Sequence, residues 1–183
     1  MATAKTGSFY LTESVTIPNG SVSGTRVQGV IDLGAYVNVA TGQAVAIESV
    51  DIIVQSGANY NQFLSNLFLA DGVIATQLTD LNHGGAFVRA DDHSLVASSA
   101  MNVDDSANLA TETMDIYPDN FGPTSLSEAF LVVNDSLYLT VGTDGGTVGG
   151  SDVFVTARIK CRIAKLSNKD WMAIAIQSTA SDN

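Results

Sequence analysis

The chain has 183 residues and a mass of 19.1 kDa, with eight Lys and Arg against nineteen Asp and Glu and a net charge of −11. An apolar fraction of 45% argues against wholesale disorder, and so negative a field argues against general nucleic-acid binding. The single cysteine, Cys161, excludes an intrachain disulfide framework and a cysteine-based zinc cluster. The length suits one domain over 1–183, with 1–7 as an arm and 177–183 as a tail. The opening Met1–Ser8 has a lone Lys and no apolar stretch behind it, so no secretory leader is expected. No apolar run approaches the roughly 18 residues of a membrane-spanning helix.

In chain order, partial alternation over 9–17 predicts a strand that ends at the turn cluster Pro18-Asn19-Gly20. Segments 26–39 and 44–55 are rich in β-branched residues and read as strands separated by Thr41-Gly42. Asp71-Gly72 lies between 66–70 and 73–78, a hairpin signal. It competes with a helical spacing of Tyr60, Phe63, Leu64, Leu67 and Phe68; the hairpin is favoured, with a helical turn before it. Further strands are expected at 86–90, 94–100, 112–117, 128–133 and 136–141. The clearest signal is late: Val153, Val155, Ala157, Ile159, Cys161 and Ile163 alternate with Phe154, Thr156, Arg158, Lys160 and Arg162. Period two over this length means a long strand with one buried face, and Cys161 falls on that face as a small hydrophobe. After Leu166, Ser167 with Asp170 offers a helix cap, while the alternation of Trp171, Ala173 and Ala175 suits a strand equally. Eight to ten strands with almost no helix predict an all-β fold, a single jelly-roll sandwich or barrel.

Sites for chemistry are sparse. Asp91, Asp92 and His93 carry metal-ligand atoms, but neighbours on a strand point to opposite faces, and the spaced ligands of an EF-hand loop are missing. An exposed acidic loop is the default reading. Ser94 beside His93 and Asp92 resembles a triad only as letters, and no Gly-x-Ser-x-Gly elbow occurs. The Gly-rich run 142–150 lacks the Lys-Ser/Thr ending of a phosphate loop, so its glycines are assigned to turns. The sequence therefore predicts no enzyme, no cofactor and no resident metal.

The charges are unevenly spread. Five of the eight basic residues, Arg158, Lys160, Arg162, Lys165 and Lys169, fall within twelve positions, with Trp171 close behind. The stretch 80–128 holds nine of the nineteen acids and one basic residue, Arg89. A positive stripe on a negative protein fits self-association, with Arg158, Lys160, Arg162, Lys165, Lys169 and Trp171 as interface candidates. The plainer reading is a solvated strand face paired with local acids. Fifteen of the nineteen acids are Asp and only four residues are Lys, a balance similar to proteins of salt-loving archaea, although only 15% of residues are charged.

The acidic β-rich chain, its length and the opening run Ser8-Phe9-Tyr10-Leu11-Thr12-Glu13-Ser14-Val15-Thr16-Ile17-Pro18 resemble the small major capsid protein of sphaerolipovirus-like viruses. These are icosahedral viruses of halophilic archaea with an internal membrane. The runs from Val27 to Tyr36 and from Val45 to Asp51 add to the resemblance. It implies a jelly roll standing upright in the virion capsid, associating with itself and with a second, larger capsid protein over a membrane. No catalytic residue and no sequence-specific nucleic-acid contact is implied. The alternative is a jelly-roll carbohydrate-binding module or lectin-like domain, for which Tyr60, Tyr117, Phe121 and Trp171 are the candidate platforms. A cupin-like enzyme needs more clustered His than His83 and His93 provide; a cellular appendage or sheath subunit fits the same features.

Overall fold

The computed structural model describes residues 3–60, 66–113 and 129–179. Among the described residues, ten strands and one helix follow in order: β1 (Thr3–Ala4), β2 (Phe9–Ile17), β3 (Arg26–Asp32), β4 (Gln43–Ser56), β5 (Gly72–Thr79), β6 (Leu95–Asp104), β7 (Leu109–Thr113), β8 (Phe130–Val132), β9 (Ser136–Gly145), β10 (Val153–Lys165) and α1 (Asn168–Thr179). Pairing is antiparallel throughout and nested: β2 pairs with β10, β3 with β9, β4 with β8, and β5 with β6. Rolling that folded ribbon sets β10 beside β4 and β9 beside β5. The result is one sheet of β2-β10-β4-β8, with the short β1 also paired to β10, and another of β3-β9-β5-β6-β7. Outermost strands paired with outermost, rolled into two sheets, is the wiring of a jelly roll.

Alternation decides what lies between the sheets. Val153, Val155, Ala157, Ile159 and Cys161 of β10 are fully buried and pack with Val45, Ile47 and Val50 of β4. The second sheet meets them with Ile74, Leu78, Met101, Leu137, Leu139 and Val141. Each large aliphatic side chain removed from water stabilises the fold by roughly 1.5–3 kcal/mol.

A smaller apolar cluster lies on the outer side of the first sheet. There Ala44, Val133 and Leu166 pack with Leu131, Trp171, Ile174 and Ala175, so α1 lies against the end of β4 and β8. The ambiguous segment after Leu166 is helical because Ser167 Oγ accepts the Asp170 amide at 3.2 Å, capping the first turn. Helical spacing then places Trp171, Ile174 and Ala175 on one side. The helix reaches Thr179, inside the segment expected as a tail. At the other end, Thr3 and Ala4 of the expected arm pair with Lys165 and Ala164.

Several expected elements differ. Asp71-Gly72 is not a hairpin turn: β5 pairs with β6 and β9, while Phe68 bridges to Val148. Phe68 is buried with its ring against Gly72, so a Cβ there would lie 2.7 Å from the ring. This glycine serves close approach rather than a turn. The strand expected over 26–39 stops at Asp32, whose Oδ1 accepts the Gly34 amide at 2.8 Å and bends the chain. Residues 86–90 are not a strand. The Val88 amide and carbonyl instead bind the Gln77 side chain, at 2.8 Å each, and Arg26 lies over the Phe87 ring at 4.7 Å. Strand β9 continues to Gly145, into the expected loop. Of the strand expected over 112–117, residues 114–117 lie outside the described residues, as do Phe63 and Leu64.

Candidate interaction surface

Arg158, Lys160 and Arg162 project from the outward side of β10, as alternation requires, because Ile159 and Cys161 fill the core. Their environments differ. Arg158 is exposed and lies over the Tyr10 ring, 5.1 Å from its centroid. Arg162 forms an ion pair with Glu48, and Lys160 Nζ lies 3.5 Å from the other carboxylate oxygen. Ser8 Oγ donates to that same oxygen at 2.9 Å. Glu48 is only 1% exposed, so this is an enclosed charge network rather than a solvated stripe.

Strand β4 supplies Glu48 through a bulge. The register opposite Lys160 is Ser49 and opposite Cys161 is Ile47, which leaves Glu48 as the extra residue. Ile47 and Val50 still reach the core, and the additional residue is aimed outward between the two cations. Re-aiming one side chain in this way is a recurrent use of a β-bulge. Sequence reasoning missed Glu48 because it lies in a strand read only for its β-branched residues. The available signal was a lone acid in Ala44-Val45-Ala46-Ile47-Glu48-Ser49-Val50, where continuous apolar character breaks the alternation.

Lys165 and Lys169 are exposed, at the end of β10 and in the first turn of α1. Trp171 is half-buried in the cluster beneath α1. Exposed cations therefore remain at Arg158, Lys165 and Lys169, while Lys160 and Arg162 are drawn to Glu48. Exposed apolar groups add to this outer side: Tyr10 on β2, and Met172 and Ile176 on α1.

The acidic candidates do not converge. Asp91 Oδ1 lies 3.6 Å from Arg89 Nε, both side chains being largely exposed. Asp92 Oδ1 accepts the Ser94 amide at 2.8 Å and the Ser94 hydroxyl at 2.6 Å. His93 instead lines a cavity beside Asp80. Among the described residues, no group of three or more His, Cys, Asp or Glu is arranged to hold a metal ion.

Ser94 contacts His83 rather than the adjacent His93, with His83 Nε2 and Ser94 Oγ 2.8 Å apart. The order is acid–serine–histidine, with the hydroxyl proton directed to Asp92. A nucleophilic serine needs the reverse, its proton passing to the histidine. Ser94 is also fully buried. The set closes the loop between β5 and β6. Cys161 is equally enclosed: burial, then the nearby Glu48 charge, push its thiol up to about 12, well away from thiolate chemistry.

Of the aromatic residues proposed as sugar platforms, Tyr60 is exposed and packs edge-on against Phe154, with centroids 5.2 Å apart. Trp171 belongs to the α1 cluster, and Tyr117 and Phe121 lie outside the described residues. No row of platforms is formed by the described members of this set.

Fold and surface together define an antiparallel jelly-roll sandwich protein with a mixed basic and apolar outer side on its first sheet. No family model and no curated protein matches the chain. Among solved structures it is similar to a chain of the mud crab dicistrovirus structure, with 13% identity and a TM-score of 0.37 over 88% of this chain and 70% of that one. It is also similar to a chain of desmodium yellow mottle tymovirus, with 8% identity and a TM-score of 0.29 over 90% and 93%. The jelly-roll assignment rests on the strand pairing itself.

Proposed function

We propose that the chain is a structural subunit of an icosahedral viral capsid, located in the virion, that associates through the outer side of β2, β10 and α1. The observation that carries this reading is the nested jelly-roll pairing combined with that outer side, where Arg158, Lys165 and Lys169 stay exposed on a chain of net charge −11. Exposed cations on an acidic protein are complementary to the acidic surface of a second copy. The resemblance of the opening run and the Asp-rich balance extend the reading to a shell over an internal membrane, in a virus of a halophilic archaeon, with a second, larger capsid protein as partner. In this reading the chain is one domain without catalytic activity.

Light scattering from low to molar salt, followed by electron microscopy, tests the proposal. Discrete oligomers or shells whose formation follows salt are expected. A chain that remains monomeric throughout, alone and with co-expressed viral proteins, overturns it.

A further inference from the structure

Between the loop that follows β5, strand β8 and helix α1 lies a cavity of about 230 Å³, lined by Asp80, His93, Phe130, Leu131, Ile174 and Gln177 among others. Its walls are mostly apolar, yet Asp80 is a carboxylate that is 2% exposed. Asn134 Nδ2 lies 3.3 Å from Asp80 Oδ2, while Oδ1 is buried with no hydrogen-bond partner. A buried, unmatched carboxylate oxygen beside an apolar space is unfavourable unless a cation or donor completes it.

We propose that this cavity binds a primary alkylammonium group, with Asp80 holding the ammonium and Phe130, Leu131 and Ile174 covering the alkyl stem. A divalent metal fits less well, because no three ligand side chains converge among the described residues and such ions take four or more ligands. A neutral apolar ligand would leave Oδ1 unmatched. An alkylammonium needs one carboxylate and an apolar wall, as long cationic side chains do when their stems are buried.

Of the surrounding charges, Asp92 favours a cation, while those of His83 and of His93, which lines the cavity, oppose one. Asp92 is close enough to act on Asp80, and its own carboxyl is held below the usual range. Burial opposes that lowering, but the Ser94 hydroxyl and amide and the charges of His83 and His93 outweigh it. Burial pushes Asp80 up to about 7, its own amide opposes, the Asp92 charge adds to the rise, and Asn134 opposes. Around the cavity, β8 contributes Phe130 and Leu131 and α1 contributes Ile174 and Gln177, none of them charged, and the loop between β5 and β6 contributes His93, the one titratable group of the wall besides Asp80 among the described residues. Binding is therefore strongest above pH 7 and weakens about tenfold per unit below it as Asp80 takes a proton. The inference does not depend on the capsid reading.

The test is a titration of n-butylamine into the full carbon-13-labelled chain at pH 8.5, following side-chain carboxyl resonances. A saturating shift of Asp80, with the exposed Asp91 and Asp105 unmoved, is expected, together with loss of binding in Asp80→Asn. The wild-type spectrum decides the matter even if that variant folds poorly. The ammonium can come from a free amine or from a lysine of a second copy. Sedimentation that shifts toward monomer on adding butylamine identifies the lysine, and an unchanged profile identifies the free amine. An Asp80 resonance that does not move, or moves no more than those of the exposed acids, overturns the proposal.

Discussion

Glu48 and Arg162 form an ion pair enclosed on the outward side of a sheet, where Arg158, four residues away on the same strand, is exposed to solvent. The bulge in β4 makes the difference by adding one outward residue opposite Lys160 and Cys161. Removing one partner of a buried pair strands the other charge, at a cost of about 3–5 kcal/mol. Glu48→Ala is therefore expected to lower the unfolding free energy by about 3 kcal/mol, measured by urea denaturation. Replacing both partners, as Glu48→Leu with Arg162→Met, should recover most of that loss. A single variant as stable as the wild type would remove the pair from the account of stability.

The same contrast separates fold from assembly along the basic row. Arg158→Glu changes an exposed side chain and should leave stability within about 0.5 kcal/mol, apart from its contact with Tyr10. It should block self-association if the outer face is the interface. Arg162→Glu instead sets two carboxylates together at the bulge and should prevent folding. Circular dichroism and light scattering on both variants give the result. Assembly by Arg158→Glu at the wild-type rate would exclude this residue from the contact.

Asp80 makes stability depend on pH in an uncommon direction. Its folded pKa of about 7 lies above the ordinary 3.8, so the folded state holds a proton that the unfolded chain releases. This contribution is fully present below about pH 4 and is lost as pH rises through 7, amounting to about 4 kcal/mol between the limits. Asp80→Asn keeps the shape of the protonated acid without the titration. Its melting temperature should match the wild type near pH 4.5 and exceed it at pH 8.5. Equal melting temperatures at both pH values would contradict the assignment.

At Gly72 the Phe68 ring occupies the space of a side chain. Gly72→Ala should cost about 1–3 kcal/mol by overpacking. Adding Phe68→Leu should return part of that loss, because neighbouring sites are not additive. Thermal denaturation of the single and double variants measures the coupling. A fully additive pair would mean that the ring does not hold the glycine.

Cys161 should not react with a disulfide reagent such as dithionitrobenzoate in the folded protein, since its thiol is fully buried and pushed up to about 12. One equivalent should react after unfolding in guanidinium. Fast labelling of the native chain would place the thiol at the surface.

Much of the architecture was legible in the sequence because period two is a local property. Residues 153–163 announce their buried face without reference to any neighbour, and the structure buries that face completely from Val153 to Cys161. The all-β class, the limits of β2 and the turn at Asn134-Asp135 follow from equally local signals. The fate of 86–90 was not legible, because the Gln77 side chain takes the hydrogen bonds that a neighbouring strand would make. The Asp71-Gly72 hairpin failed for a related reason. The pairing of β5 with β9 joins residues roughly sixty to seventy positions apart, and no short-range turn signal reports that choice.

By itself, then, the sequence determined a β-sandwich core and a row of cations on one side of its last long strand, since both depend only on alternation and composition. Tertiary structure decided which of those cations are available. It brought Glu48 and Ser8 to Lys160 and Arg162, left Arg158 in solvent, and set Asp80 against the apolar wall of β8 and α1. Such relations depend on groups distant in the chain and on the desolvation each imposes on the other, and both arise only when the sheets close.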